Sequence, residues 1–137
     1  RRRAGILTRP PPHSFLPVIF HELTMNKPHI SIDDFSKIEV KIGIVRLAER
    51  IPETTKLLRL MVDFNEEEGP RQIVSGIAAY TPEPALLVGR ELAFVTNLEP
   101  RIIRGFESNG MLFAVGTDES FAFLIPDREV PPGTSAH

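Results

Sequence analysis

Hydrophobic positions between residues 38 and 44 alternate, with Ile38, Val40, Ile42 and Ile44 set against Glu39, Lys41 and Gly43. A period of two marks a strand with one wetted face. Further strands are predicted over 57–64, 71–77 and 91–97. The first two are joined by Asn65, three glutamates, Gly69 and Pro70, a solvated hairpin turn. Ahead of them, Ser31-Ile32-Asp33-Asp34 resembles a capping box with Asp in place of Glu, and it opens a short helix to about Lys37. Thr81-Pro82-Glu83-Pro84 starts a connector with room for one helical turn.

Two later runs break the alternation. Met111-Leu112-Phe113-Ala114-Val115 and Phe121-Ala122-Phe123-Leu124-Ile125 are apolar on both faces. Strands of that kind need cover on both sides, from the chain's own ends or from a second subunit. Many short strands, one small helix and closely spaced turns specify a small all-β barrel. On the residues alone, an OB-fold and an SH3-like barrel fit equally well.

The stretch Asn97-Leu98-Glu99-Pro100-Arg101-Ile102-Ile103-Arg104-Gly105-Phe106-Glu107-Ser108-Asn109-Gly110-Met111 carries the candidate chemistry. Pro100 and Gly105 argue against a regular helix or central strand between them, so Arg101 and Arg104 are expected on a shaped loop. A guanidinium offers a planar fork of donors for phosphate and a flat face for a base. Asn97, Ser108 and Asn109 add short hydrogen-bonding groups suited to bases or ribose, and equally suited to turns.

Catalytic signatures fail on missing parts. Gly105 and Gly110 have phosphate-loop spacing, but Met111 follows where Lys should. Ser108 is one residue out of place for a nucleophile elbow. From Met25 onward the histidines are His29 and His137, near opposite ends, so no base or metal pair is in view. Asp33-Asp34, Glu66-Glu67-Glu68 and Asp118-Glu119 fall at caps and turns. The expectation is a protein that is not an enzyme and holds no metal or cofactor. Ser75-Gly76-Ile77-Ala78 reads as a strand end at which glycine permits close backbone approach.

The 137 residues make one domain, and the lack of cysteine removes disulfide frameworks and thiolate sites. No apolar stretch is long enough for a membrane span, and a cytoplasmic location is expected. Residues 1–24 differ from the rest, with Arg1, Arg2, Arg3, Arg9, three consecutive prolines and a short apolar patch broken by Pro17. They read as an extension foreign to the domain, which is expected over 25–137. The extension holds four of the 16 basic residues and one of the 18 acids. The remaining 12 and 17 give a formal charge of −5. Nucleic acid would then be bound through local cations rather than a basic surface.

The 97–111 stretch resembles the tRNA-binding domain found at the C-terminus of many bacterial methionyl-tRNA synthetases and as a stand-alone protein, related to CsaA. That family runs Asn-Leu-Lys-Pro-Arg-Lys-x-x-Gly-x-x-Ser-x-Gly-Met. The likeness extends over roughly residues 30–134, through Val40-x-x-Gly43-x-Val45, Lys56-Leu57-Leu58-x-Leu60 and Arg71-Gln72-Ile73-Val74-Ser75-Gly76. Glu99 and Ile102 stand where the family has lysine, which removes two positive charges from the loop. The resemblance implies a five-stranded OB-fold barrel with a short N-terminal helix and a C-terminal extension. It implies tRNA as partner, with Lys56, Asn97, Arg101, Arg104, Ser108, Asn109 and Met111 as the RNA-binding set. It also implies a homodimer joined through the C-terminal third, and an aminoacyl-tRNA synthetase as a further partner. A CsaA-like chaperone that uses an apolar surface is the alternative. A general single-strand binder would need interleaved aromatics, and Tyr80 is the lone tyrosine.

Overall fold

The computed structural model describes residues 26–137; the expected foreign extension, 1–24, lies outside them. Two units are distinguished, Arg1–Ile32 and Asp33–His137, and the second holds the barrel. The helix α1, Ile32–Phe35, starts where the capping pattern put it and is shorter than expected. A last turn follows, with Ile38 N donating to the Phe35 carbonyl at 3.1 Å.

Four strands form where they were predicted: β1 (Val40–Arg50), β2 (Leu58–Asp63), β3 (Arg71–Ser75) and β4 (Glu91–Val95). In β2, Leu58, Leu60 and Val62 are fully buried while Arg59, Met61 and Asp63 face outward, as period two requires. The strand β1 serves two neighbours. Its residues 40–44 pair with β4, a register irregularity follows between Val45 and Leu47, and its second half pairs with β2. Gly43 belongs at this crossing, because a Cβ there would lie 2.5 Å from a Val62 methyl and 2.6 Å from the Phe64 ring.

Beyond β4 come β5 (Arg101–Ile103), β6 (Phe106–Ser108), β7 (Met111–Leu112), β8 (Ala114–Val115) and β9 (Ala122–Phe123). The main antiparallel sheet has the order β3-β2-β1-β4-β7. It curls until its two edges meet: Asn109 N donates to the Gln72 carbonyl at 2.8 Å, and Val74 N donates to Ser108 Oγ at 3.0 Å. The result is the expected five-stranded OB-like barrel around Leu58, Leu60, Ile73, Leu92 and Phe94. The C-terminal extension covers the edge of β1 that β2 leaves bare. Gly133 N donates to the Ile42 carbonyl, Ile42 N to Thr134 and Ala136 N to Val40, at 2.7, 2.9 and 2.8 Å.

The two apolar runs do not form two long strands. Both compete for β4 at one residue, Ala93, whose carbonyl accepts from Phe113 N while its N–H donates to Leu124. The chain is deflected there. Leu112 enters the core, Phe121 stacks on Tyr80 with ring centres 4.2 Å apart, and Met111, Phe113 and Val115 stay exposed. Among the described residues no helix is long and apolar enough to cross a membrane.

Closure is bolted by Arg71. Its Nε and Nη2 donate to the two oxygens of Glu66 at 2.9 and 2.7 Å, and its Nη1 donates to the Thr96 carbonyl at 2.7 Å and to Asn109 at 3.4 Å. The guanidinium carbon lies 5.3 Å from the centre of the Phe64 ring. Replacing Arg71 by Met strands a largely buried carboxylate and two carbonyls, and is expected to cost about 2–4 kcal/mol in denaturant unfolding. Hydrogen bonding from Arg71, above all, holds the Glu66 carboxyl below its ordinary value near 4.5. A carboxyl depressed in the folded state contributes stability above its unfolded pKa and loses it as pH falls through the folded one. Stability should therefore decline as pH drops below 4.5, with Asp63 adding to the decline through its bonds from the Asn65 amide and Arg46. Glu66→Gln should flatten this acid limb in pH-dependent unfolding.

Candidate nucleic-acid interface

The expected arginine loop is a regular β-hairpin. Arg101 pairs with Ser108, Ile102 with Glu107 and Ile103 with Phe106. Pro100 stands just outside the ladder, so its missing N–H costs nothing there. Arg104 and Gly105 form the two-residue turn with φ of 51° and 85°, the left-handed pair of a type I′ turn. The first of those positions suits Asn, Asp or Gly, and an arginine there is held in a conformation that side chains disfavour. The tip of the hairpin thus presents a guanidinium at a conformational cost, a pattern found where function sets the residue.

Burial and hydrogen bonding divide the expected RNA-binding set. Arg101 and Arg104 are exposed. Lys56 is exposed on the loop between β1 and β2, where its carbonyl accepts from Ala78 N at 3.0 Å. None of the three is ion-paired among the described residues, whereas Lys37, Lys41, Arg46, Arg59, Arg71 and Arg128 each have a carboxylate within reach.

The polar members are turned to the fold. Ser108 is 5% exposed, its hydroxyl accepting from Val74 N and donating to the Gly110 carbonyl at 3.2 Å. Asn97 Oδ1 accepts from Glu39 N at 2.9 Å and its Nδ2 donates to the Lys37 carbonyl at 2.7 Å, so its amide ties the start of β1 to the end of β4. Asn109 uses its backbone to close the barrel on Gln72 and Arg71. Met111 is half-exposed and lies with Phe35, Ile38, Val95, Leu98 and Phe113 around an apolar groove of about 490 Å³.

Register fixes which members share an end of the barrel. Asn109 sits against Gln72 and Ser108 against Val74, so β6 runs antiparallel to β3. Moving from Ser108 back toward the tip therefore means advancing along β3 past Ser75. Ser75 in turn pairs with Leu58, two residues after Lys56. The Lys56 loop lies at the end of the β2–β3 pair toward which the β6 register leads, while Asn97 and Met111 belong to the opposite end. This is the arrangement in which an OB-fold offers a strand face with loops on either side.

Arg59 lies on the outer side of β2 and was not singled out from sequence. It points outward at the centre of the face, donates to Gln72 Oε1 at 2.7 Å and Glu49 Oε2 at 3.0 Å, and lies 5.9 Å from the Phe106 ring centre. The alternation of Leu58, Leu60 and Val62 was the signal that could have found it.

Comparison with known proteins agrees with this geometry. Residues 40–135 match the family described as "Putative tRNA binding domain". The chain is 52% identical over 109 residues to a methionine–tRNA ligase of Methanocorpusculum labreanum, which aligns 79% of this chain and 15% of that enzyme. It is 44% identical over 109 residues to the ligase of Archaeoglobus fulgidus, with 79% and 16% covered. The chain therefore spans about a sixth of the length of these relatives. Among solved structures, a MetRS-related protein from Pyrococcus horikoshii superposes with a TM-score of 0.73 at 38% identity, covering 81% of this chain and all of that one. The CsaA chaperone of Bacillus anthracis gives 0.68 at 29% identity, covering 80% and 100%. With the family match spanning residues 40–135, most of the barrel, the chain belongs to the tRNA-binding domain family.

Proposed function

We propose that the domain is a non-catalytic, cytoplasmic tRNA-binding module whose hairpin arginines, Arg101 and Arg104, grip the RNA backbone with Lys56 beside them. What supports this reading is that Arg101, Arg104 and Lys56 are exposed and without an ion pair among the described residues, whereas six of the nine other described basic side chains have a carboxylate within reach. Glu99 and Ile102 leave the hairpin short of charge, so binding is weak and selects by shape. Its role is to hold tRNA for a partner synthetase, in cis or in trans.

The turn supplies a clean test. Arg104→Asn places a residue favoured in a type I′ turn at the tip, so the fold should be kept or improved while the phosphate contact is lost. Arg104→Asn and Arg101→Ala should each weaken tRNA binding by roughly 1–2 kcal/mol, the scale of a charge-assisted hydrogen bond. Equal affinity of the double variant and the unaltered chain, by gel shift at low salt, would reject the assignment.

The apolar groove supports a second component of the reading, a homodimer. Phe35, Ile38, Leu98, Met111 and Phe113 are each between 42% and 54% exposed and adjoin one another around the groove, an apolar patch of the kind that marks an interface. A two-fold contact through Met111 and Phe113 would also cover the outer side of the 111–115 run. Sedimentation at micromolar concentration should give twice 15.3 kDa, and Met111→Glu should return the monomer. A monomeric unaltered chain that suppresses aggregation of an unfolded client would favour the chaperone reading instead. The likeness to CsaA structures gives that reading its footing.

A further inference from the structure

Close backbone packing does not explain Gly76. A Cβ built on this residue meets no heavy atom within 4 Å, and its φ lies outside the left-handed region. The residue is exposed, and its N–H takes part in none of the backbone hydrogen bonds outside the ladders among the described residues. By contrast, Gly43 sits where a side chain would strike the core, and Gly105 where a turn demands a positive φ. Neither space nor conformation within the chain calls for glycine at 76. The fold tolerates it at an entropic cost, since glycine loses more freedom on folding than any other residue.

Its place indicates what the bare backbone is for. Gly76 directly follows β3, one step beyond the Ser75–Leu58 pair. Two residues later, Ala78 N donates to the Lys56 carbonyl, so the segment is moored to the Lys56 loop. The register of β6 on β3 carries the hairpin tip past this same point, with Arg104 at the turn. By this register Gly76 lies between the Lys56 loop and the strand that leads to the hairpin tip. A glycine at a strand end, with nothing of its own chain within 4 Å of where a side chain would lie, leaves room for another backbone to come close.

We infer that the ribose–phosphate backbone of the bound RNA seats directly on Gly76, and that the missing side chain lets a phosphate approach Lys56 and Arg104 together. The exposed Gly76 N–H is a donor for one phosphate oxygen. This rests on the tRNA-binding reading and adds to it a contact residue that carries no charge. Gly76→Ala and Gly76→Val fill space that the fold leaves open. Both should keep or raise the melting temperature, because the unfolded chain loses freedom. Gel shift of bulk tRNA at low salt should show affinity lower by about tenfold in Gly76→Ala, the size of one lost charge-assisted contact, and lower still in Gly76→Val.

Unchanged affinity in Gly76→Val, with Arg101→Ala/Arg104→Asn weakened, would overturn the seat and leave the hairpin assignment standing. Loss of affinity in Gly76→Val, with the arginine variant unaffected, would remove the hairpin assignment and overturn the shared approach of one phosphate to Lys56 and Arg104. A melting temperature lowered in Gly76→Ala would show that the glycine serves the fold, and would overturn the inference.

Discussion

One guanidinium holds the two edges of this barrel together. Arg71 reaches the β2–β3 turn through Glu66, the end of β4 through Thr96 and the β6–β7 link through Asn109. Each of those segments lies at a strand end, where ladder hydrogen bonds stop and backbone groups would otherwise be orphaned. An arginine suits the task because its donors diverge in a fixed plane, while the stem and face can lie on Phe64. Ion pairs on surfaces contribute little, but this one is mostly buried, bidentate and shared with carbonyls, which are the conditions under which such a pair matters. The hairpin of Arg101 and Arg104 springs from the segment that Arg71 fixes. The clamp thus fixes the base from which the hairpin projects.

The long-period features of this fold were legible and the short ones were not. Alternation at the start of β1 and along β2 spans enough residues for the pattern to dominate, and the solvated turn between β2 and β3 fixes the hairpin. The strands β5 and β6 have three residues each, less than two full periods, and Pro100 and Gly105 read locally as breakers. The hairpin becomes visible only when Arg104 is allowed a left-handed conformation that sequence rules reserve for other residues. Asn97 and Ser108 were misleading for a different reason. Both have the chemistry of surface contacts, yet each satisfies backbone groups distant in sequence, Asn97 those of Lys37 and Glu39, and Ser108 that of Val74. Such long-range satisfaction has no local signature. The apolar runs after Gly110 misled because pattern cannot show that two segments compete for one partner, here Ala93.

The charge balance shapes how such an interface can work. With 17 acids against 12 bases from Met25 onward, the domain has no basic surface to steer RNA over distance. Screening at physiological salt confines surface charges to a range of about 8 Å in any case. Glu107 pairs with Ile102 on the hairpin itself, so even the local field is mixed. Binding must therefore depend on contact rather than on attraction from afar.

Contact energy is steep in distance. Two unit charges near a protein surface attract by about 4 kcal/mol at 4 Å and about 2 at 8 Å, for an effective dielectric near 20. A site with few cations gains more from letting a phosphate come close than a strongly basic one does, because it has no surplus charge to make up the loss. On that logic the features that limit approach become as consequential as the arginines: the bare backbone at Gly76, the tight turn that lifts Arg104 clear of the barrel, and the pairing of neighbouring cations into the fold. Arg59 illustrates the last of these. It lies on the same face, but its donors are committed to Glu49 and Gln72, and its guanidinium carbon stands 5.9 Å from the Phe106 ring centre. A neutralised, aromatic-backed surface between exposed cations is suited to an RNA whose bases are turned inward and whose backbone is presented.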